Sequence, residues 1–400
     1  MFRLTGLVFL ALLTGCANGS FPSAFKDPGS GSTGSGGGNP TPSSVYVYVS
    51  SGSSSSNQIH GYSAASDGAL TAIAGSPFAT QGGTALFVAA TGNTLFGADG
   101  YSIYSFGVGS HGALTQESKL AAGQEENGEP VGGPVQLFFD ANQANLYSFY
   151  VNLDGPDSSG YGAYSFSSSG KVAKTNTAGG STENTAMLAF TGNNRYAYTS
   201  SSFRGDPAIT EYTRGSNGAL TQTNQQISFL SPTAPAGAGY LPYGAAADSS
   251  NHVIIAVGET TEDSFTPNGP WQLAVYTANS AGTLATTSTY QNMTTLNVGN
   301  QVSWYAFSPD EKYLAVAGTA GVQVFSWNAT NGTFTAVGGT KNSGASFDTV
   351  AWDANDHLYA LSILSNSLYA YAVSASGVTA VSGSPYAVQT PQWLAVLSQK

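Results

Sequence analysis

The chain has 400 residues and a formal net charge of −11, and only 8% of its residues are charged. Its 50 glycines disfavour long helices and favour strands joined by tight turns, while an apolar content of 41% suffices to bury a large core. The negative charge argues against nucleic acid as a partner, because an acidic surface gains nothing from the release of phosphate counterions.

Residues 1–15 predict a secretory signal peptide, because one Arg is followed by an apolar stretch from Leu4 to Leu13. The letters LTGC at Leu13–Cys16 resemble a bacterial lipobox, and Cys16 is the only cysteine in the chain. The alternative is an ordinary signal peptide with a free thiol. A lipid on Cys16 would hold the protein to a membrane of the bacterial cell envelope. We expect the outer membrane or the cell surface, with the periplasmic side as an alternative.

Residues 16–44 comprise this cysteine and a segment rich in Gly, Ser and Pro, which has few apolar residues to bury. Such a composition predicts a flexible tether with a reach of about 30 Å.

The phrase SxGALT occurs three times, at Ser66–Thr71, Ser110–Thr115 and Ser216–Thr221. Each copy joins two runs of alternating polar and apolar residues, which predicts a β-hairpin whose glycine supplies a positive φ. With weaker copies included, seven turn glycines recur about every 50 residues, as expected for four-stranded propeller blades. They are Gly68, Gly112, Gly170, Gly218, Gly282, Gly332 and Gly377.

The two ends of the repeat array complement each other. Val45–Ser50 has the pattern of a second strand without a first strand before it, and Gln392–Leu397 has the pattern of a first strand with no second strand after it. Residues 45–400 therefore predict one all-β domain, a seven-bladed β-propeller of four-stranded antiparallel blades, in which the C-terminal strand joins the N-terminal blade and closes the ring. A pair of β-sandwiches or a β-helix would not explain the split blade. A closed ring has few free edges, so we expect a monomer.

The repeat phrases resemble the bacterial lactonase family of seven-bladed propellers. This family includes the propeller-type 6-phosphogluconolactonases and the fungal carboxymuconate-lactonizing enzymes. Further similar stretches are GSPF at Gly75–Phe78, GSPY at Gly383–Tyr386 and FSPDEKYLAVA at Phe307–Ala317. The resemblance covers Val45–Leu397 and implies a lactonase fold.

The resemblance also implies a motif similar to PHxH in the first strand of the third blade, and arginines around the axis. The matching stretch here is Gly132–Asp140, in which Val135 and Leu137 occupy the expected histidine positions. In the next strand, Asn152 occupies the position of a family acid. This departure weighs against the family's chemistry.

A propeller has two rims. Connections from second to third strands, and between blades, lie on the rim that usually binds ligands, here called the loop rim. First-to-second and third-to-fourth turns lie on the opposite rim, here called the turn rim. None of the four histidines maps to the loop rim, whereas eleven of the 22 acids do. They are Asp99, Glu125, Glu126, Glu129, Asp154, Asp157, Glu183, Asp206, Glu259, Glu262 and Asp263.

Three functions remain open. The leading hypothesis is a cell-envelope lipoprotein whose propeller binds a small-molecule, sugar or protein ligand at the loop rim. The alternative is a lactone hydrolase of the 6-phosphogluconolactonase type, with catalytic candidates Arg204, Glu183, Asp154 and Asn152. The third is an adhesion or scaffold protein that depends on a divalent cation held by oxygen ligands, with candidates Glu259, Glu262 and Asp263. None of the three requires an organic cofactor.

Overall fold

A computed structural model describes residues 45–53, 56–80, 87–126, 129–152, 159–179, 187–201, 207–223, 227–228, 231–261 and 266–399. These residues form seven antiparallel sheets arranged in a ring, so the chain is a seven-bladed β-propeller. The described residues contain no helix, and thus no helix that could cross a membrane.

Each sheet is one blade, and in six of the seven blades the long strands follow chain order from the axis outward. Blade 1 comprises β1 (Val45–Ser53), β2 (Ser56–Ala64), β3 (Leu70–Ala72), β4 (Phe78–Ala79) and the C-terminal β33 (Pro391–Ser398). Blade 2 comprises β5 (Phe87–Thr91), β6 (Thr94–Ala98), β7 (Ser102–Val108) and β8 (Leu114–Ala121). Blade 3 comprises β9 (Gln124–Glu126), β10 (Glu129–Phe139), β11 (Asn145–Asn152), β12 (Ser159–Phe166) and β13 (Val172–Gly179).

Blade 4 comprises β14 (Ala189–Phe190), β15 (Tyr196–Ser201), β16 (Ala208–Arg214), β17 (Leu220–Gln222) and β18 (Ile227–Ser228). Blade 5 comprises β19 (Ala238–Ala247), β20 (His252–Thr261), β21 (Trp271–Ala278), β22 (Leu284–Thr286) and β23 (Thr294–Leu296). Blade 6 comprises β24 (Val302–Phe307), β25 (Tyr313–Gly318), β26 (Gly321–Asn328) and β27 (Thr333–Ala336). Blade 7 comprises β28 (Thr349–Trp352), β29 (His357–Ser362), β30 (Ser367–Ser374), β31 (Gly377–Ala380) and β32 (Tyr386–Ala387).

The ring closes in blade 1, where the strand order is β3-β2-β1-β33. The C-terminal strand takes the innermost position and pairs with β1 antiparallel, with Val49 opposite Leu394. The backbone N–H of Trp393 donates to Ser50 Oγ at 3.1 Å. The predicted split blade and the predicted count of seven are confirmed.

The hydrophobic core is divided among the seams between blades. Seven clusters of buried apolar side chains occur among the described residues, and each is built mainly from two consecutive sheets. One such cluster packs Tyr46 and Tyr48 of blade 1 against Leu95 and Tyr104 of blade 2. A blade therefore buries its two faces against its two neighbours, which explains why one blade could not be stable alone.

The repeated glycine phrase has a physical cause at these seams. All seven predicted turn glycines have positive φ, for example +78° at Gly112 and +85° at Gly218. The carbonyl oxygen of Gly112 accepts a hydrogen bond from the hydroxyl of Tyr48 in the preceding blade, at 2.8 Å. Tyr147 donates in the same way to Gly218 at 2.8 Å. A Cβ at Gly218 would lie 2.5 Å from Asn145 Cγ, so both the conformation and the close approach require glycine.

Candidate functional site

The strands that flank the predicted catalytic residues in the chain belong to blades 3 and 4. Asn152 is the last residue of β11 and pairs with Gly132 of β10. This pair lies at the end of the two strands that is farther from the turn joining them. Glu183, Asp154 and Arg204 lie outside the described residues. In the chain, Asp154 falls between β11 and β12, Glu183 between β13 and β14, and Arg204 between β15 and β16. The first three of these strands belong to blade 3 and the last three to blade 4. The assignment of these four residues to a catalytic site stays a prediction.

The positions where the lactonase resemblance calls for histidines are used for packing. Val135 packs against the core cluster between blades 3 and 4, and Leu137 is buried in the cluster between blades 2 and 3. A β-bulge separates them, because Val135 pairs with Phe149 while Leu137 pairs with the next residue back, Ser148. The first strand of blade 3 thus offers no imidazole, and its extra residue at the bulge is Gln136.

Aromatic side chains from four first strands meet in contact with one another. The ring of Phe138 in blade 3 stacks on Trp304 in blade 6, with centroids 6.2 Å apart and planes 14° apart. Trp304 contacts Trp393 of blade 1 edge-on at 4.9 Å, and Trp393 contacts Phe87 of blade 2 at 5.2 Å. Because blades 3 and 6 lie on opposite sides of the ring, these contacts cross the axis and connect its two sides.

Of the three candidate cation ligands, only Glu259 is described. It lies in β20 opposite Tyr240, and its Oε2 atom is buried without a hydrogen-bond partner among the described residues. Burial, with a smaller effect of Glu259, raises the pKa of Tyr240 to about 12, so this hydroxyl stays protonated and donates to Gln272. Glu262 and Asp263 lie outside the described residues. In the part of the chain that is described, no group of three His, Cys, Asp or Glu side chains is placed to hold a metal ion.

Other residues near the loop rim have structural partners. Asp99 is buried in the turn after β6, where its carboxylate accepts hydrogen bonds from Tyr101 N, Ser102 N and the Tyr104 hydroxyl at 3.0, 2.7 and 2.7 Å. This acid therefore holds a turn together. Trp271 is likewise buried, and its Nε1 donates to the carbonyl of Asn300 at 2.9 Å.

Two histidines on the turn rim form carboxylate pairs that the sequence analysis missed. His357 Nδ1 donates to Asp353 Oδ2 at 2.8 Å, and this hydrogen bond raises the pKa of His357 despite its burial. Burial opposes the change at Asp353, yet the hydrogen bonds from His357 hold the pKa of Asp353 below its usual value. His252 pairs with Asp248 at the same distance of 2.8 Å. In both pairs an Asp follows a first strand and the His comes four residues later, and this recurring spacing is the sequence signal that could have predicted the pairs.

A cation and a carboxylate also pair across a seam on the turn rim. Arg214 of blade 4 contacts Asp140 of blade 3, with Nη2 and Oδ2 2.6 Å apart, and the Asp140 side chain is fully buried. These charged pairs resemble catalytic geometry, but each holds one turn or one seam. The remaining histidines are His60, inside β2, and His111, exposed in a third-to-fourth turn. All four histidines thus lie where the sequence predicted, away from the loop rim.

A cavity of about 480 Å³ opens on the turn rim among blades 3 to 6. Its apolar lining includes Phe139, Phe190 and Phe307, and its charged lining consists of Asp248 and Glu311. Both Glu311 oxygens accept hydrogen bonds from Ser249, at 2.8 Å from the backbone N–H and at 2.6 Å from Oγ. Of the four candidate catalytic residues only Asn152 is described, and it lies at the opposite end of β11 from this cavity.

Solved structures with the same fold include lactonases. The periplasmic gluconolactonase PpgL of Pseudomonas aeruginosa is 13% identical, with a TM-score of 0.63 over 89% of this chain and 100% of that one. A candidate 6-phosphogluconolactonase from Bacteroides uniformis is 14% identical, with a TM-score of 0.62 over 88% of this chain and 99% of that one. A protein from Lactobacillus plantarum is 19% identical, with a TM-score of 0.53 over 78% of this chain and 98% of that one.

No family model matches the sequence, and no curated protein is similar to it. The likeness to the solved structures shows that the chain has the fold of the propeller-type lactonases, as its sequence resemblance implied. Sequence identities this low show the fold alone.

Proposed function

We propose that this propeller is a lactone hydrolase that acts on sugar lactones at the loop rim. The observation that carries the proposal is the likeness to a gluconolactonase along that protein's entire length. The sequence adds a compatible set of polar residues, because the candidates fall in neighbouring loop-rim connections of blades 3 and 4. The findings thus favour hydrolysis, which was the alternative at the sequence level, over a pure binding role.

The reaction needs three contributions that the candidate side chains can supply. A carboxylate, Glu183 or Asp154, would accept a proton from water as the oxygen adds to the lactone carbonyl carbon. The guanidinium of Arg204 would stabilise the negative charge that develops on the carbonyl oxygen. The ring C–O bond then breaks, and the carboxyl returns its proton to the departing alkoxide. The amide of Asn152 would orient the substrate.

A direct assay tests the proposal. The full chain is incubated with glucono-δ-lactone and 6-phosphogluconolactone, and acid release above the spontaneous rate is followed by pH-stat titration. We expect turnover, and a fall in kcat of about 10²–10³ for Arg204→Ala, the size seen when one oxyanion donor is removed. The matched control is Arg195→Ala, which removes an exposed arginine from the turn rim and should leave kcat unchanged. Wild-type rates equal to the spontaneous rate would refute hydrolysis.

A second candidate function is lactone or sugar binding without turnover. It is favoured by the apolar Val135 and Leu137 in the first strand of blade 3, where the lactonase resemblance calls for histidines. Under this alternative, calorimetry detects binding of a sugar lactone or its acid while no hydrolysis is measured.

We further infer that the protein is a lipoprotein of the cell envelope, anchored at Cys16. The support is the lipobox-like sequence Leu13–Cys16 and the tether that follows it. Metabolic labelling with a fatty-acid analogue should mark the wild-type protein in the membrane fraction, whereas Cys16→Ser should be unlabelled. Labelling of the serine variant would contradict the assignment.

We retain the hypothesis that the protein binds a divalent cation, with Glu259, Glu262 and Asp263 as the candidate ligands. The unpartnered Oε2 of Glu259 supports it, because a bound cation would supply the missing partner. Millimolar Ca²⁺ should then raise the unfolding midpoint of the wild type but not that of Glu259→Gln. An unchanged wild-type midpoint would remove this hypothesis.

A further inference from the structure

Gln136 has an unusual backbone conformation for its place in the fold. Its φ is +41°, in the left-handed region that residues with a Cβ rarely adopt. Nine residues other than glycine have positive φ among those described, and Gln136 is the only one inside a strand. The other eight lie in turns or connections. They are Gln143, Asn194, Asn251, Glu311, Asn342, Asp356, Asn366 and Thr390.

The β-bulge explains how β10 tolerates this conformation. Gln136 is the extra residue between Val135 and Leu137, and it has no partner on β11. The two flanking side chains fill the seams to blades 4 and 2, so the neighbouring blades fix the strand on both sides of the strained residue. Bulges of this kind commonly redirect a side chain beside an active site. β10 is the innermost long strand of blade 3, and β9 pairs with it only between Glu129 and Gly132, so the edge of β10 at Gln136 faces the axis.

The side chain of Gln136 is also unsatisfied. The residue is partly exposed, yet its Oε1 atom is buried and accepts no hydrogen bond from any described residue. Most buried side-chain oxygens in proteins have a partner, so an exception indicates a missing donor. A strained backbone and an unmade hydrogen bond both cost stability. Their coincidence at one residue of an axis-facing strand favours a role in ligand binding.

We propose that Gln136 is a substrate-specificity residue, whose amide oxygen accepts a hydrogen bond from a hydroxyl group of a polyhydroxylated lactone. The inference rests on the proposed function and names the part of the substrate that is recognised. A hydroxyl group suits the site because it brings the donor that Oε1 lacks, and because a neutral amide needs no charged partner. The role is one of binding and orientation, and proton transfer is left to other groups.

The first test compares a hydroxylated lactone with one that lacks hydroxyls. Gln136→Leu should lower kcat/KM for glucono-δ-lactone about tenfold, mainly through KM, because one substrate hydrogen bond is lost. The same variant should leave kcat/KM for δ-valerolactone unchanged, since that substrate has no hydroxyl to recognise. Equal losses on both substrates, or no loss on either, would overturn the inference.

A second variant separates binding from folding. Gln136→Gly removes the amide but relieves the left-handed strain, so it should raise the unfolding midpoint while lowering kcat/KM for the sugar lactone. The matched control is Gln143→Gly, which changes the same residue type at a φ of +53° in a turn-rim turn. It loses a hydrogen bond from Thr91 to Gln143 and should leave activity unchanged. A Gln136→Gly protein with full activity would refute the role.

The outcome also separates this inference from the proposed function. If the wild type binds glucono-δ-lactone or gluconate without hydrolysis, the hydrolase proposal is wrong. The Gln136 variants are then compared by the Kd measured by calorimetry, and the same tenfold change is expected. If the wild type hydrolyses lactones and Gln136→Leu is indistinguishable from it, the hydrolase proposal survives and the Gln136 inference fails. If the wild type neither binds nor hydrolyses, both are refuted.

Discussion

Breaking the ion pair between Arg214 and Asp140 should strongly destabilise the seam between blades 3 and 4. Arg214 Nη2 also donates to Asn145 Oδ1 at 2.6 Å, and its Nε donates to the Tyr147 hydroxyl at 3.1 Å. The side chains of Arg214 and Asp140 are 11% and 0% exposed. Arg214→Met would keep most of the apolar packing but leave a buried carboxylate without its cation.

The expected loss follows from this burial. Removing one partner of a buried ion pair costs about 3–5 kcal/mol, because the remaining charge stays desolvated. An unfolding entropy of about 2.1 cal/mol/K per residue gives about 0.75 kcal/mol/K for the roughly 355 residues of the propeller. The unfolding midpoint of Arg214→Met should therefore fall by about 4–7 °C.

Thermal unfolding followed by circular dichroism measures the effect, with a double-mutant cycle as the control. Asp140→Asn retains an oxygen that can accept the turn hydrogen bond from Ala144 N, which is 2.7 Å long in the wild type. Adding this change to Arg214→Met removes the unpaired charge and should recover about 2 kcal/mol or more. A fall of less than about 1 °C for Arg214→Met, or a coupling energy near zero, would refute the reasoning.

Three further predictions concern other contacts. His357 has a raised pKa, so its stabilising contribution is complete below its unfolded pKa and is lost as the pH rises through the folded one. The contribution of Asp353, whose pKa is lowered, is lost as the pH falls through its folded value. His357→Gln should therefore lower the unfolding midpoint more at about pH 5.5 than at about pH 9, and an equal loss at both would contradict this pairing. Gly218→Ala should cost about 3 kcal/mol against about 1 kcal/mol for Gly92→Ala, whose Cβ would meet nothing within 4 Å at a φ of +57°. Equal losses in urea unfolding would argue against the seam clash. Trp393→Ala should cost about 3–5 kcal/mol because the ring is buried at the closing strand, and a loss below about 1 kcal/mol would show that this contact is dispensable.

The fold could be predicted because its determinants recur along the sequence. A turn that needs positive φ selects glycine, and the close approach of the preceding blade selects it again, so Gly112 and Gly218 appear in nearly identical phrases. The unpaired strands at the two ends then fixed the closure of the ring. Each signal reports a local backbone requirement or a strand that lacks a neighbour.

The candidate site was less predictable, because its features depend on contacts that occur once. The residues next to Gln136 in the sequence do not predict a bulge. The conformation of Gln136 is set by the packing of Val135 and Leu137 into two different seams. The Arg214–Asp140 pair likewise joins different blades and follows no repeat. The sequence could identify the loop-rim connections, but it could not indicate which of their side chains meet.

The position of the last strand has a consequence for biosynthesis. Ser50 contacts Trp393, a residue 343 positions later in the chain. Nearly the whole polypeptide must therefore be synthesised before β1 can pair with β33. Until then, the backbone hydrogen-bonding groups on that edge of β1 are free to pair with other chains. The other six sheets are each built from strands that are neighbours in the chain, so they can form before the final segment docks.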